Sequence, residues 1–252
     1  MRRLLVIGIG AGDPEHVTAQ AIRSLNTVDV FFVVEKGAEK HELMDLRREI
    51  CDRYVESSAY RTVEIRDPER DRTSPAYGEA VAAWRHARAE SWEAAIRAEL
   101  ADEECGAFLV WGDPALYDST LAVVEEILAR GELELDYEVV PGISSVQALT
   151  ARHRIALNRI GRPVAITTGR RLSEGLHDDA DDIVVMLDAH CAFRRFAGQP
   201  VDIYWGAYVG TPDELLVAGD VSEVADEIER LRSEARERKG WIMDTYLLRR
   251  RL

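Results

Sequence analysis

Residues 109–120, LVWGDPALYDST, bring Asp113, Tyr117 and Asp118 close together at the end of an apolar run. Two carboxylates and a phenol so grouped can take up or donate a proton. The run over residues 107–111 has the length and flanks of a buried strand, and Gly112-Asp113-Pro114 ends it abruptly. In a parallel sheet that turn lies at the edge where open α/β sheets bind ligands, which stands Asp113 at the mouth. Gly112 permits close backbone approach and Pro114 fixes the turn, with Tyr117 and Asp118 within the next helical turn. An ordinary strand-to-helix turn with an N-capping aspartate would use the same residues. A second chemical group follows the apolar run IVVML: Asp188 and then His190, whose imidazole suits proton transfer near neutrality. His153 is a more distant candidate. The third group is cationic: Arg152, His153, Arg154, Arg159, Arg162, Arg170 and Arg171 occur with no acid among them. Arginine forks bind carboxylates bidentately, so a polycarboxylate ligand would account for this stretch. A solvated face, or pairing with the acidic tract at 178–182, would account for it equally.

The elements that must position these groups alternate regularly at first. Residues 4–9 read as a strand, Thr18 as the cap of a helix carrying Ala21, Ile22 and Leu25, and residues 28–34 as a second buried strand. That order opens a parallel sheet. Gly8 and Gly10 fit the dinucleotide pattern GxGxxG, and Glu35 stands where its ribose acid would, but the third glycine is replaced by Asp13. A carboxylate there would repel a pyrophosphate. A polar loop with Lys36 and Lys40 and a helix over 42–51 follow, then a charged, proline-punctuated and exposed region at 61–75. A long helix puts Tyr77, Val81, Trp84, Ile96 and Leu100 on one face, with Trp92 as packing and His86 at the surface. After the GDP turn come a helix over 119–130, a strand over 137–140, and a small-residue turn, PGISS, that opens another helix. From Pro163 strands crowd together as VAITT, IVVML, VDIYWGAYV, LLVAG and WIMDTYLL, and Ser222 caps a last helix. The change of rhythm places a boundary near 157–163, with a mixed sheet beyond it.

Composition narrows the function classes. Of 252 residues, 46 are acidic and 32 basic, and the net charge of −14 argues against a nucleic-acid or anionic-membrane surface. Cys51, Cys105 and Cys191 lie far apart, with no CxxC or zinc-like histidine spacing, so no metal is expected and a reducing cytosol fits. The opening MRRLLVIGIGAGD breaks at glycines too early for a signal peptide, and no apolar stretch is long enough to span a membrane.

Three motifs then align with one family. VIGIGAGDPEHVT resembles the opening glycine loop of the tetrapyrrole methylases, LVWGDPALY their GDPxxY turn, and EVVPGISSVQALTARHRIAL their proline-glycine loop and helix. Their order and spacing agree over nearly the whole chain. The resemblance implies a two-lobed α/β fold, residues 1–158 and 159–252, with a mainly parallel N-terminal sheet and a mixed C-terminal sheet. It further implies S-adenosylmethionine in the cleft between them, S-adenosylhomocysteine as product, a cytoplasmic homodimer, and a corrinoid substrate. Carried over by position, the cofactor-binding residues are Ala11, Trp111, Asp113, Leu116, Ser144, Ser145, Met186, Leu187, Ala207 and Tyr208. Ala11 departs from a common proline, Trp111 from a glycine of the sirohaem branch, and Gly219-Asp220 from a glycine-threonine pair. Core filling by Met186 and helix capping by Ser144 and Ser145 are the plainer readings of those three.

Within the family, LVWGDPALYDST, ARHRIALNRIG, ITTGRRL and VVMLDAHCAF are most similar to the branch that deacetylates as it methylates. That branch implies precorrin-5 as substrate, methylation at C1 and release of acetate. Asp113, Tyr117 and His190 are then the catalytic candidates, and Arg152, Arg154, Arg170 and Arg171 would bind the substrate's carboxylate arms. Competing readings are methylation at another carbon without deacetylation, a nucleotide-dependent oxidoreductase, and a nucleotide-sensing regulatory module.

Overall fold

Leu4 to Ile7 are buried without interruption because their strand is covered on both faces, which is why the run reads as continuously apolar rather than alternating. In the computed structural model, residues 1–35, 41–68, 77–175 and 180–251 are described. Lys36, Lys40 and Pro75, the first part of the acidic tract, and the side chains of Glu35, Tyr77 and Val81 lie outside the description. The chain divides into two compact units, residues 1–10 with 14–143, and residues 11–13 with 144–252.

The first unit is built on β1 (Arg2–Gly8), β2 (Val30–Glu35), β3 (Arg61–Arg66), β4 (Cys105–Val110) and β5 (Leu135–Val140), all parallel in the order β3-β2-β4-β1-β5. Leu5 and Ile7 face α1 (Ala19–Leu25) and α2 (His41–Tyr54) in one core, with Leu25, Leu46 and Ile50. Leu4 and Val6 face α3 (Tyr77–Glu99) and α4 (Thr120–Arg130) in the other, with Ile96, Val123 and Ile127. Trp92 is buried there and stacks on Phe108 at 4.1 Å, while His86 is exposed beside Glu126. Thr18 caps α1, its hydroxyl accepting from Ala21 N.

One expectation is corrected in this unit. Residues 61–66, read as part of an exposed charged region, form the edge strand β3. Only Val63 and Ile65 turn inward, to the core shared with α3, and the intervening charges suit a sheet edge that must not pair with another chain.

The second unit holds β6 (Val164–Thr168), β7 (Asp182–Met186), β8 (Val201–Ala207), β9 (Leu215–Asp220) and β10 (Asp244–Arg250), in the order β6-β7-β10-β8-β9. β6 and β7 run parallel and the other pairings are antiparallel, so this sheet is mixed as expected. Its main core contains Phe193, Trp205 and Tyr246, joined by Val221, Ala225 and Ile228 of α7 (Val221–Lys239). Asp220, not Ser222, is the cap of α7: its carboxylate accepts from Ser222 N, and the Ser222 hydroxyl accepts from Gly198 N instead. The division at 143/144 falls earlier than the 158/159 boundary expected from the sequence. Helix α5 (Ser145–His153) groups with the second unit because Leu149 packs where Gly206 of β8 has no side chain.

Candidate functional site

In the first sheet β1 and β4 are neighbours, yet the chain leaves β1 toward β2 on one side and leaves β4 toward β5 on the other. Diverging connections open a crevice at the carboxyl ends of such a pair. The loops after β1, β4 and β5 meet here through glycines. A Cβ on Gly8 would lie 2.6 Å from Gly142 N and 2.8 Å from the Gly112 carbonyl oxygen. Gly112 N donates to the Gly10 carbonyl at 2.8 Å. Bare backbone amides brought this close form a cradle for a ligand that approaches the main chain.

Asp113 sits in this cradle, but both its oxygens are engaged. Oδ1 accepts from Ala115 N at 2.8 Å, closing the turn, and Oδ2 accepts from Gly142 N at 2.9 Å, tying the GDP loop to the proline-glycine loop. The carboxylate offered by the sequence as an acid–base group therefore positions two loops. Tyr117 adopts φ +52 and projects outward rather than joining a helix, half exposed beside the half-buried Leu116. Asp118 accepts from Thr120 N at 2.7 Å, one residue ahead of Ser119, the cap position of α4. Trp111, at the end of the strand, packs against the α1–α2 core, and its buried indole N–H meets no acceptor among the described residues.

Sequence reasoning missed the arginines behind this edge. Arg47 of α2 donates from Nε to the Leu109 carbonyl at 3.1 Å, and burial pulls its guanidinium down against the opposing influence of Asp118. Arg88 of α3 is buried between Trp84 and Trp92, pairs with Asp67 at 2.8 Å and donates to Ser119 Oγ at 2.7 Å. Neither arginine lies in a recognisable motif, and their helical spacing marks them only as polar positions on amphipathic helices.

In the second unit Ser144 caps α5 in a capping box with Gln147, its hydroxyl accepting from Val146 N and its own N–H donating to Gln147 Oε1 at 3.2 Å. Ser145 is the first residue of the helix. Met186 ends β7, and the next residue, Leu187, has φ +53 and is 65% exposed. Asp188 then turns inward. Its Oδ1 accepts from His190 N, and its Oδ2 from Ala192 N and from the Tyr246 hydroxyl at 2.7 Å, while Arg232 reaches its carbonyl. Burial first, and the facing carboxylate second, push the Tyr246 phenol well up, so it stays a donor. Asp188 thus anchors the loop, and the exposed His190 is the group that loop presents.

Ala207 ends β8 buried, and Tyr208 follows at φ +50 with its hydroxyl on the Trp241 carbonyl at 2.6 Å. Residues 11–13, which include Ala11, pack in this unit, where a Cβ on Gly12 would meet Thr211 Cγ2 at 2.6 Å. Tyr117, Leu187 and Tyr208, like Glu103, Arg154 and Cys191, are left-handed without being glycine, a costly conformation.

The basic stretch is divided between uses. Arg152 pairs with Glu214 at 2.9 Å, and Arg171 with Glu174 at 3.0 Å. Arg159 and Arg162 reach Asp182 and Asp181, the pairing with the acidic tract. Arg154 is exposed with no acidic partner among the described residues, and Arg170 is exposed on α6 (Gly169–Ser173). His153 donates from Nε2 to the Trp205 carbonyl, and burial pulls it down, which keeps it neutral. Cys51, Cys105 and Cys191 are free and buried, and no cluster of metal-binding side chains occurs among the described residues. No helix among them is long and apolar enough to cross a membrane.

Comparison with known proteins gives a consistent result. The profile of the family described as Tetrapyrrole (Corrin/Porphyrin) Methylases matches residues 3–225. A Sinorhizobium protein named precorrin-6A synthase [deacetylating] is 52% identical over 250 residues, 99% of this chain and 96% of its own length. The crystal structure of a cobalamin synthesis related protein (CobF) from Corynebacterium diphtheriae superposes with a TM-score of 0.86 at 39% identity, covering 99% of this chain and 98% of that one. The cobalt precorrin-4 methyltransferase CbiF, at 19% identity and TM-score 0.62 over 98% of this chain and 94% of that one, shares the fold.

Proposed function

The chain belongs to the tetrapyrrole methylase family, and from that premise we propose that it is a deacetylating precorrin-6A synthase, converting precorrin-5 to precorrin-6A with release of acetate. The observation that carries this reading is the 52% identity, over almost the full length of both chains, to a protein of that name. The glycine cradle and the left-handed residues fit an extended ligand lying against main chain, as S-adenosylmethionine would. When bound, that cofactor supplies an electrophilic methyl group on a sulfonium. Asp113, Leu116 and Trp111 in the first unit, and Ala11, Ser144, Ser145, Met186, Leu187, Ala207 and Tyr208 in the second, are the positions assigned to hold it.

The chain's own chemistry concerns the acetyl group. Water adds to the acetyl carbonyl, the carbon–carbon bond to the ring breaks, and acetate leaves. The electron pair of that bond stays on the ring carbon, which becomes the nucleophile for the methyl group. His190, exposed on a loop held by Asp188, is assigned to take the proton from water, with Tyr117 at the crevice as a donor. Arg154 and Arg170, joined by Arg152 and Arg171 where their present acids give way, meet the carboxylate arms. A cytoplasmic homodimer is part of the same reading, and the reduced cysteines agree with that compartment.

The dinucleotide alternative finds no support in the loop. Residues 9–18 separate β1 from α1 and include a short 3-10 helix, so α1 does not open directly on the glycines as a pyrophosphate site requires. A single incubation with precorrin-5 and S-adenosylmethionine tests the proposal. Acetate and S-adenosylhomocysteine in equal yield are expected. S-adenosylhomocysteine without acetate would move methylation to another carbon. His190→Ala should lose acetate release while still binding S-adenosylhomocysteine.

A further inference from the structure

His16 closes the loop that follows β1. The 3-10 helix Pro14–His16 is fastened to the end of α2, where Arg53 pairs with Glu15 and the Tyr54 hydroxyl donates to the Pro14 carbonyl at 3.1 Å. On the other side its Cβ is pressed against the glycine loop: a Cβ on Gly10 would lie 2.6 Å from His16 Cβ. Gly10 in turn bridges to Gly112, beside Asp113. The main chain and Cβ of His16, from which the imidazole projects, are therefore fixed from two directions beside the β1–β4 crevice.

Its two ring nitrogens differ. Nδ1 is buried and meets neither a donor nor an acceptor among the described residues. Nε2 is the nitrogen left on the accessible side of this partly exposed ring. A buried N–H with no acceptor is costlier than a buried lone pair, so the proton of the neutral ring resides on Nε2 and points outward as a donor. Other described histidines are differently employed. His86 faces Glu126 at 2.8 Å, His153 donates to Trp205, and His190 lies on a surface loop of the second unit.

We propose that His16 is a catalytic residue of the deacetylation, its Nε2–H donating to the oxygen of the substrate's acetyl group as negative charge gathers there. The proposal rests on the deacetylating reading above. As water adds to the acetyl carbon, the C=O π pair moves to oxygen, and a preorganised donor stabilises that oxyanion more than the ground-state carbonyl. Collapse re-forms the C=O bond and expels the ring carbon with the bonding pair. The oxygen of water ends in acetate and its proton passes to the base. His16 gives up no proton overall.

The test uses the intact enzyme with precorrin-5 and S-adenosylmethionine, measuring acetate and S-adenosylhomocysteine for wild type, His16→Ala and His16→Gln. The Ala variant keeps the Cβ that packs on Gly10, and thermal melting checks its fold. Loss of one oxyanion donor predicts acetate release about 100-fold slower in His16→Ala. His16→Gln, whose amide can place an N–H near the Nε2 position, should recover to within about tenfold of wild type. The rise in melting temperature given by S-adenosylhomocysteine should be the same in all three. Acetate release in His16→Ala within about threefold of wild type, a Gln variant no better than Ala, or loss of the S-adenosylhomocysteine shift would each overturn the assignment. A wild-type enzyme that makes S-adenosylhomocysteine without acetate would instead remove the deacetylating reading itself, and this role with it.

Discussion

At Gly142 the fold leaves no room for even one methyl group. A Cβ there would collide with the Gly112 carbonyl oxygen and crowd Gly8, and both obstacles are backbone, which cannot turn aside as a side chain would. Gly142→Ala should therefore cost about 3 kcal/mol. For a chain of this size that is a fall in melting temperature of roughly 6–12 °C, with S-adenosylhomocysteine binding weakened as the Asp113 to Gly142 N bond is pulled apart. A melting temperature within a degree of wild type would show that the loops are not in contact as described. Tyr246→Phe offers a subtler comparison. It removes one of the three donors that the described residues give the buried Asp188 carboxylate while keeping the ring, and about 1–2 kcal/mol should be lost. Asp113 and Asp188 were both visible in the sequence as carboxylates at strand ends, but sequence cannot say how many backbone amides a carboxylate will meet. That number decides whether it is a base or a fastener.

Among the elements, β3 was hidden and β4 was plain, for a common reason. A central parallel strand buried on both faces writes an unbroken apolar run such as CGAFLV, whereas an edge strand buried on one face needs only Val63 and Ile65. Those two disappear among charges whose task is to keep the edge unpaired. One of those charges also secures the strand. Arg61, at the start of β3, makes a forked pair with Glu104, just before β4, at 2.7 and 3.0 Å, and Ala101 N donates to the same carboxylate. The Arg61 hydrogen bonds, then the Ala101 amide, hold the Glu104 carboxyl down to about 2. A folded-state value below the unfolded one means stability that is present above about pH 4.5 and lost as pH falls toward 2. The melting temperature of wild type should accordingly exceed that of Glu104→Gln at neutral pH, with the gap closing between pH 4.5 and 2. Because the pair is solvent-exposed, the gap should be small and should narrow in high salt. A gap that persists at pH 2 would mean that the glutamine disturbs packing and that charge is not the cause. The strand rhythm changes at Pro163, but the helix before it, α5, packs on Gly206 within the second compact unit, a contact with no trace in local sequence.

For the molecule as a whole, charge and cofactor pull in different directions. A net charge of −14 repels an anionic substrate at long range, so recognition of a polycarboxylate must be local. The basic stretch is where that locality was legible, although the structure shows much of it already paired with Glu214, Glu174, Asp181 and Asp182. S-adenosylhomocysteine carries no phosphate and escapes the repulsion that Asp13 and the surrounding charge impose on a dinucleotide. At about 100 times its dissociation constant it should stabilise the protein by about 2.7 kcal/mol. For a chain of this length, that is a rise in melting temperature of roughly 5–10 °C. NAD at the same concentration should give no rise, since neither a third glycine nor a helix opening on the loop is there to receive a pyrophosphate. Equal shifts for the two compounds would mean that adenosine alone is recognised, whereas a shift for NAD alone would return the glycine loop to the dinucleotide reading.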